Sequence, residues 1–266
     1  MHRDLSAAAP PRYFIQSLEK GLKLLQTFSP TQPALTLTEL ALALGLPKAG
    51  TQRLVRTLLD LGYLQRLPGK RYSLGVQALD LGHRYLTTLN LPAIAEPFLQ
   101  KLVRDTHETV NLAIRNGREV VYVARIAAAP RIVSVNLEVG SRLPLHATAL
   151  GKALLWDTSE ADLPTILGTP PWEAYTPATQ TTPEALWAGL MAARHAGVVL
   201  NDGELELGLR SIAAPVRNLQ SRIVASMNVS THAYRVPVEI ILGPMKEALL
   251  AAAAQLSAEL GYEHPD

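Results

Sequence analysis

The feature that most constrains this chain is the break Gly45-Leu46-Pro47, set between two stretches of helical period. Before it, Thr36 and Glu39 have the spacing of a capping box, in which the threonine accepts from the helix and the glutamate reaches back. Leu37, Leu40, Ala41 and Leu44 then supply an apolar face. At the break, glycine allows a left-handed turn and proline suits the start of the next helix. In that helix Leu54, Leu58 and Leu61 recur at i, i+4 and i+7 and are expected to point inward, leaving Gln52, Arg53, Arg56 and Thr57 on other faces. Gly50, near its start, is locally unfavourable by about 1 kcal/mol against alanine.

An earlier helix is expected from Ile15, Leu18, Leu22, Leu25 and Phe28, which form one apolar face ended by Pro30 and Pro33. After the second helix of the pair, Tyr63–Arg66 and Arg71–Leu74 flank Leu67-Pro68-Gly69-Lys70, a tight-turn signal for a two-stranded ribbon with a basic tip. Helix, helix, tight turn, helix and ribbon, in that order, describe a winged helix-turn-helix over residues 13–74.

Charge sharpens this reading. Residues 1–90 hold eleven Lys and Arg against five Asp and Glu, whereas residues 91–266 hold fourteen against eighteen. Residues 48–71 alone carry six cations and one acid, Asp60. A basic module on an acidic remainder suits a polyanion. The second helix of such a pair fits the major groove of a duplex, where Lys48, Thr51, Gln52, Arg53 and Arg56 would meet base edges or phosphates and Lys70 and Arg71 the flanking backbone. The alternative is a helical hairpin whose basic face is merely solvated.

Residues 75–90 read as a connecting helix. Val76, Leu79, His83 and Leu86 have the 3-4-3 spacing of a short dimer seam, and Asn90-Leu91-Pro92 marks the boundary of a second domain over 91–266. In that domain Pro92 opens a helix with Ile94, Phe98, Leu102 and Val103 inward. Asn116-Gly117 joins Thr109–Arg115 and Glu119–Arg125 in a hairpin, and a third strand is expected over Arg131–Leu137. A helix begins at Thr148 or Ala149 and runs to Leu155. Thr182-Pro183 caps another that buries Leu186, Leu190 and Ala193 and ends at Gly197. Strands follow at Ser211–Val216 and Ile223–Ser230, and a last helix at about Val238–Leu260. Because strands meet in hairpins, the sheet should be largely antiparallel and the fold class α+β.

The chemistry-bearing residues show no catalytic constellation. The chain has no cysteine, which excludes disulfides, thiolate metal sites and a cysteine nucleophile. Its seven histidines lack the two-on-one-helix spacing of a zinc enzyme. Ala149-Leu150-Gly151-Lys152-Ala153 lacks the first glycine and final Ser or Thr of a phosphate loop. Asp202, Glu204 and Glu206 read as a solvated loop rather than a metal site, and His146 as a packing or hydrogen-bonding residue. No metal and no cofactor are expected. Asn228 and Ser230 alternate on one face of an apolar strand, as orienting groups of a ligand site do, or as core groups bonded to neighbouring backbone. No apolar run approaches the roughly 18 residues of a membrane span, so a cytoplasmic protein with no membrane partner is expected.

At these residues the chain resembles the IclR family of bacterial transcription regulators, from about Tyr13 to Tyr262. Ile15–Leu22, Arg53-Leu54, Leu61–Leu64 and Tyr72–Gly75 carry the resemblance in the first half. Val139–Leu155 and Leu207–Val216 carry it in the second, and Tyr13–Gly21 is closest to the branch controlling protocatechuate and β-ketoadipate catabolism.

The resemblance implies a winged-helix repressor or activator of operator DNA, a linker helix, and a GAF-like domain for a small organic acid, aromatic or keto, assembled as a homodimer or homotetramer. It places the effector among Thr148, Ala149, Leu150, Asn201, Leu209, Ser211, Asn228 and Ser230. Two positions depart from the usual pattern: many members have an acid at Asn201 and a serine at Asn228. Two other readings remain: an oligomeric metabolite sensor or enzyme that uses the first module only for interaction, and an assembly protein without ligand.

Overall fold

A computed structural model of the chain describes residues 13–128 and 137–263. The described chain divides between Leu89 and Asn90 into two compact units. No described helix is long and apolar enough to cross a membrane.

The first unit holds α1 (Gln16–Leu25), β1 (Leu35–Thr36), α2 (Leu37–Leu44), α3 (Lys48–Asp60), β2 (Leu64–Leu67), β3 (Arg71–Leu74) and α4 (Val76–Leu89). The capping box at α2 forms as expected: the Glu39 N–H donates to the Thr36 hydroxyl at 3.3 Å, and the Thr36 N–H donates to the Glu39 carboxylate at 2.7 Å. Gly45 ends α2 in the left-handed region at φ 62°, and Pro47 caps α3. β2 and β3 pair antiparallel across the Pro68–Lys70 turn, and the short β1 adds to β3 as a third strand that sequence reading missed. Leu24, Leu35, Leu40, Val55, Leu58 and Leu64 form the core.

Two apolar faces differ from expectation. In α3 the buried stripe is Thr51, Val55 and Leu58; Leu54 is half-buried and Leu61 is 57% exposed. In α1 only Leu24 is buried, and Ile15, Leu18 and Leu22 are exposed. Periodicity identifies a helix, but the face that goes inward is set by contact with helices distant in the chain.

The second unit contains α5 (Leu91–Thr106), β4 (Thr109–Asn116), β5 (Glu119–Ile126), β6 (Arg142–Pro144), α6 (Ala149–Leu154), α7 (Leu163–Leu167), α8 (Pro183–Ala196), β7 (Val199–Asp202), β8 (Leu209–Arg217), β9 (Ile223–His232), α9 (Val238–Leu242) and α10 (Pro244–Glu259). Its six described strands form one antiparallel sheet in the order β6-β5-β4-β9-β8-β7. The expected strand Arg131–Leu137 falls, apart from Leu137, outside the described residues. In α5 the buried stripe is Leu91, Ala95, Leu99, Leu102 and Thr106, with Ile94, Phe98 and Val103 flanking it rather than leading it. The expected last helix is two helices, because Gly243 leaves helical geometry (φ −99°, ψ −110°) before Pro244, whose ring cannot continue it.

Strand alternation separates the two sheet faces. α5 and α10 pack over one. On the other, Ala213 of β8 joins Ala149 and Ala153 of α6 in a small core, and Ser226 of β9 donates to the Leu150 carbonyl at 3.0 Å. α6 lies very close to the chain before it: a Cβ on Gly151 would stand 2.1 Å from the Leu145 carbonyl oxygen. Glycine at 151 is therefore what lets the start of α6 sit against the segment that follows β6.

Candidate functional sites

The first site is a basic surface on α3 and the ribbon. A helix advances about 100° per residue, so Gln52, Arg56 and Arg53 fall within roughly a 100° arc, opposite Val55 and Leu58. All three are exposed, as are Lys48, Lys70 and Arg71. Lys70 stands at the ribbon tip beside Gly69, and both have positive φ (59° and 75°). The Arg71 guanidinium donates to the Ala34 carbonyl, tying the ribbon to the chain before β1. Thr51 is a correction. It is fully buried, and its hydroxyl donates to the Pro47 carbonyl at 3.2 Å, so its side chain faces the core and cannot touch a duplex.

The second site is a cavity of about 210 Å³ between the sheet and α6. Thr148, Ala149, Leu150, Asn201, Leu209, Ser211, Asn228 and Ser230 all line it. Asn228 and Ser230 do share a face, and Ser211 faces Ser230 from the neighbouring strand. Sequence reading passed over Asn111, Tyr122 and Arg125, which line the same cavity. Asn111 had the signal that marked Asn228, a polar residue among apolar strand neighbours.

These polar groups form one hydrogen-bonded row across four strands. Arg125 Nη1 donates to Asn111 Oδ1 at 3.1 Å, and Asn111 Nδ2 donates to Asn228 Oδ1 at 2.8 Å. Asn228 Nδ2 donates to Ser230 Oγ at 2.9 Å, and the Ser230 and Ser211 hydroxyls are 3.1 Å apart. Each step between strands follows the register: Arg125 opposite Asn111, Asn111 opposite Asn228, Ser230 opposite Ser211. The wall above the row is apolar, with Leu143, Leu150, Leu205 and Leu209. At another edge Arg235 pairs with the buried Glu108 at 2.5 Å. Burial pushes the Tyr122 phenol up to about 12 despite the nearby Arg125 charge, so it is neutral at physiological pH.

Behind α6 lies a buried ion pair. Lys152 donates to Glu204, and also to Gln180 at 2.8 Å; Asn201 donates to Glu204 and to the Ala147 carbonyl, each at 3.1 Å. Glu204 is thus not part of a solvated loop; Asp202 pairs with Arg210 at 2.7 Å. Burial holds Lys152 below the usual lysine range, against the opposing pull of Glu204. His146 is a packing residue: its ring lies near Trp172 and Tyr175, and its Nε2 is 2.9 Å from the Glu173 carbonyl. Among the described residues no cluster of three His, Cys, Asp or Glu could hold a metal.

A winged helix-turn-helix in one unit and a cavity-bearing α+β domain in the other define a transcriptional regulator with an effector domain. The chain belongs to the IclR family. The family model described as the IclR helix-turn-helix domain matches residues 17–68, and that of the bacterial transcriptional regulator IclR C-terminal domain matches residues 83–258. The chain is 36% identical over 247 residues to the Pca regulon regulatory protein of Pseudomonas putida, covering 93% of this chain and 84% of that one. It is 35% identical over 249 residues to the transcriptional regulator XynR of Escherichia coli, covering 93% and 98%. Among solved structures, a chain assigned as a transcriptional regulator from Rhodococcus sp. RHA1 matches with a TM-score of 0.82 at 35% identity, covering 93% of this chain and 98% of that one. An IclR homologue from Microbacterium hydrocarbonoxydans, complexed with 4-hydroxybenzoate, matches with a TM-score of 0.80 at 27% identity, covering 92% and 98%. These relatives are regulators, not enzymes, and the second unit is the α+β domain that the family's C-terminal model matches.

Proposed function

We propose that this regulator reads operator DNA with Lys48, Gln52, Arg53, Arg56, Lys70 and Arg71, and senses a small organic acid with Thr148, Ala149, Leu150, Asn201, Leu209, Ser211, Asn228 and Ser230. The single observation that carries the reading is the convergence of these eight residues, drawn from α6, β7, β8 and β9, on one cavity. The working parts are residues 13–74 for DNA, 75–90 as linker helix and 91–266 for the effector. The cavity is smaller than the roughly 300–1,000 Å³ typical of drug-sized ligands, which suits a small metabolite. Similarity to the Pca regulon protein and to a 4-hydroxybenzoate complex supports an aromatic or keto acid and the protocatechuate/β-ketoadipate branch.

The protein works in the cytoplasm, where operator DNA is, as a homodimer or homotetramer. Val76 and Leu79 on α4, each 69% exposed, support pairing there; the side chains of His83 and Leu86 lie outside the described residues. Two winged helices on one duplex would then meet half-sites about one turn apart. Effector binding shifts the population between two arrangements of the assembly, for which a coupling of about 1–3 kcal/mol suffices.

Fluorescence anisotropy on DNA from upstream of the neighbouring operon tests this. Arg53→Ala and Arg56→Ala should each weaken binding about tenfold, the loss of one good base or phosphate contact. Parent-like binding by both variants would refute the DNA assignment.

A further inference from the structure

α6 has little of its own to keep it in place. It is six residues long, too short to be stable on its local hydrogen bonds, yet Ala149 and Leu150 make it a wall of the cavity. Besides its apolar contacts, two polar ties fix its seat, and both end on Glu204. At the entry to the helix, the Asn201 amide donates to the Ala147 carbonyl and to Glu204 Oε1, each at 3.1 Å. Further along, Lys152 Nζ donates to the same Oε1. Glu204 is anchored in turn: the Gln180 N–H donates to its Oε2 at 3.3 Å, and the Thr179 hydroxyl to its main-chain carbonyl at 2.6 Å. The Gln180 side chain accepts from Lys152 at 2.8 Å and lies against α8, where a Cβ on Gly189 would come within 2.7 Å of it. The carboxylate is thus a fixed point, although it does not line the cavity.

The same carboxylate decides which way Asn201 points. Asn201 lines the cavity, its amide protons are spent on Ala147 and Glu204, and its Oδ1 has no partner among the described residues. A carboxylate and a carbonyl only accept, so turning the amide over would set Oδ1 against two acceptors. Oδ1 is therefore the polar atom that Asn201 has left for the cavity. We infer that Glu204 is a positioning residue of the effector cavity, fixing the Asn201 amide and, through Asn201 and Lys152, the seat of α6. The inference rests on the reading of this cavity as the effector site, and it adds a residue outside the eight assigned above. A leucine at 204 would fill the space but accept no hydrogen bond, so α6 would lose one tie outright and Asn201 would keep only the Ala147 carbonyl. A glutamine would keep an oxygen for Asn201 without the charge.

Two measurements on the full-length protein test this without any effector. One is hydrogen exchange in the peptide over 145–155. The other uses the absence of cysteine from the chain: the thiol introduced by Ser211→Cys in the cavity wall is the only one to react with iodoacetamide. Lys152→Met accompanies each change at 204, so that no lysine is left buried without its partner. In Lys152→Met with Glu204→Leu, exchange over 145–155 and thiol reaction should each speed up about tenfold or more, while peptides from β8 and β9 and the urea midpoint stay near the parent. In Lys152→Met with Glu204→Gln, both should stay within about threefold of the parent. Parent-like behaviour of the leucine variant in either measurement overturns the inference. So does a glutamine variant that matches the leucine variant, and so does a rise shared equally by β8 and β9, which would make Glu204 a support of the whole unit. Asn201→Ala, which leaves the ion pair in place, decides the matter if the leucine variant does not fold: both rates should rise several-fold, and a parent-like value of either overturns the inference. The effector reading fails separately, if compounds that occupy the cavity never alter operator affinity.

Discussion

Tyr122 and Arg125 stand three positions apart on β5, yet both line the cavity. In a regular strand an odd separation would send them to opposite faces. The pairing of β4 with β5 breaks register between Leu112 and Ala113, which face Ala124 and Tyr122, so Val123 is the extra residue of a bulge. Bulges re-aim side chains in this way, commonly beside functional sites. The bulge brings a cation and a phenol to one wall.

Tyr122→Phe tests the wall directly. Its hydroxyl has no partner among the described residues, so removing it should change stability by less than about 1 kcal/mol. Affinity for an acid that occupies the cavity should fall several-fold. Denaturant unfolding and ligand titration on the same variant check the two halves.

The Lys152–Glu204 pair should behave as a buried charge couple, since the two side chains are only 3% and 8% exposed. Removing one member of such a pair typically costs about 3–5 kcal/mol, because the other is left buried without its counter-charge. Lys152→Met alone should be destabilising on that scale in urea unfolding. Lys152→Met combined with Glu204→Leu should recover much of the loss; no recovery would show that the hydrogen bonds to Asn201 and Gln180 matter more than the pairing of charges.

Gly151→Ala should be among the most damaging single-methyl additions in the chain. The new carbon would meet the Leu145 backbone rather than a flexible side chain, so α6 must move away from β6 and take Thr148 and Ala149 with it. We expect a loss of about 1–3 kcal/mol and weaker effector binding. Gly50→Ala is the control, because a Cβ there meets nothing within 4 Å.

Lys70→Gly separates strain from charge at the ribbon tip. A non-glycine residue at φ 59° is held in a region that disfavours side chains, so glycine should leave stability within about 1 kcal/mol. If Lys70 meets a phosphate, DNA affinity should fall similarly on every sequence, and the slope of log affinity against log salt should drop by about one. An unchanged salt slope would remove Lys70 from the interface.

Acid stability of the first unit should depend on Glu39. Hydrogen bonds from the Thr36 backbone and hydroxyl hold its carboxyl below the ordinary value of 4.5. A carboxyl depressed in the folded state adds stability that is present above 4.5 and is lost as pH falls through the folded value. Glu39→Gln should flatten the acid limb of the stability profile, read as urea midpoints across pH 3 to 6, roughly the carboxylate titration range.

Much of the first unit was legible because its signals are short in range. The capping box at Thr36 and Glu39, the left-handed Gly45 and the Pro68-Gly69 turn each act over three or four residues. The Asn116-Gly117 hairpin and the shared face of Asn228 and Ser230 were legible for the same reason. Orientation was less so. Leu54 and Val55 both satisfy a helical period, and packing against α1 and α2 sent Val55 inward; Thr51 went with it, which removed it from the basic surface.

The sequence by itself determined the helix-turn-helix and ribbon of the first unit with their basic residues, and the polar positions on β8 and β9, since cap, turn and alternation are properties of neighbouring residues. Only the tertiary structure decided that Asn111, 117 residues from Asn228, completes a polar row with Arg125, and that Lys152 meets Glu204 across 52 residues. Those contacts depend on strand register and a bulge, which are settled by burying two faces of one sheet together, and no local pattern encodes them.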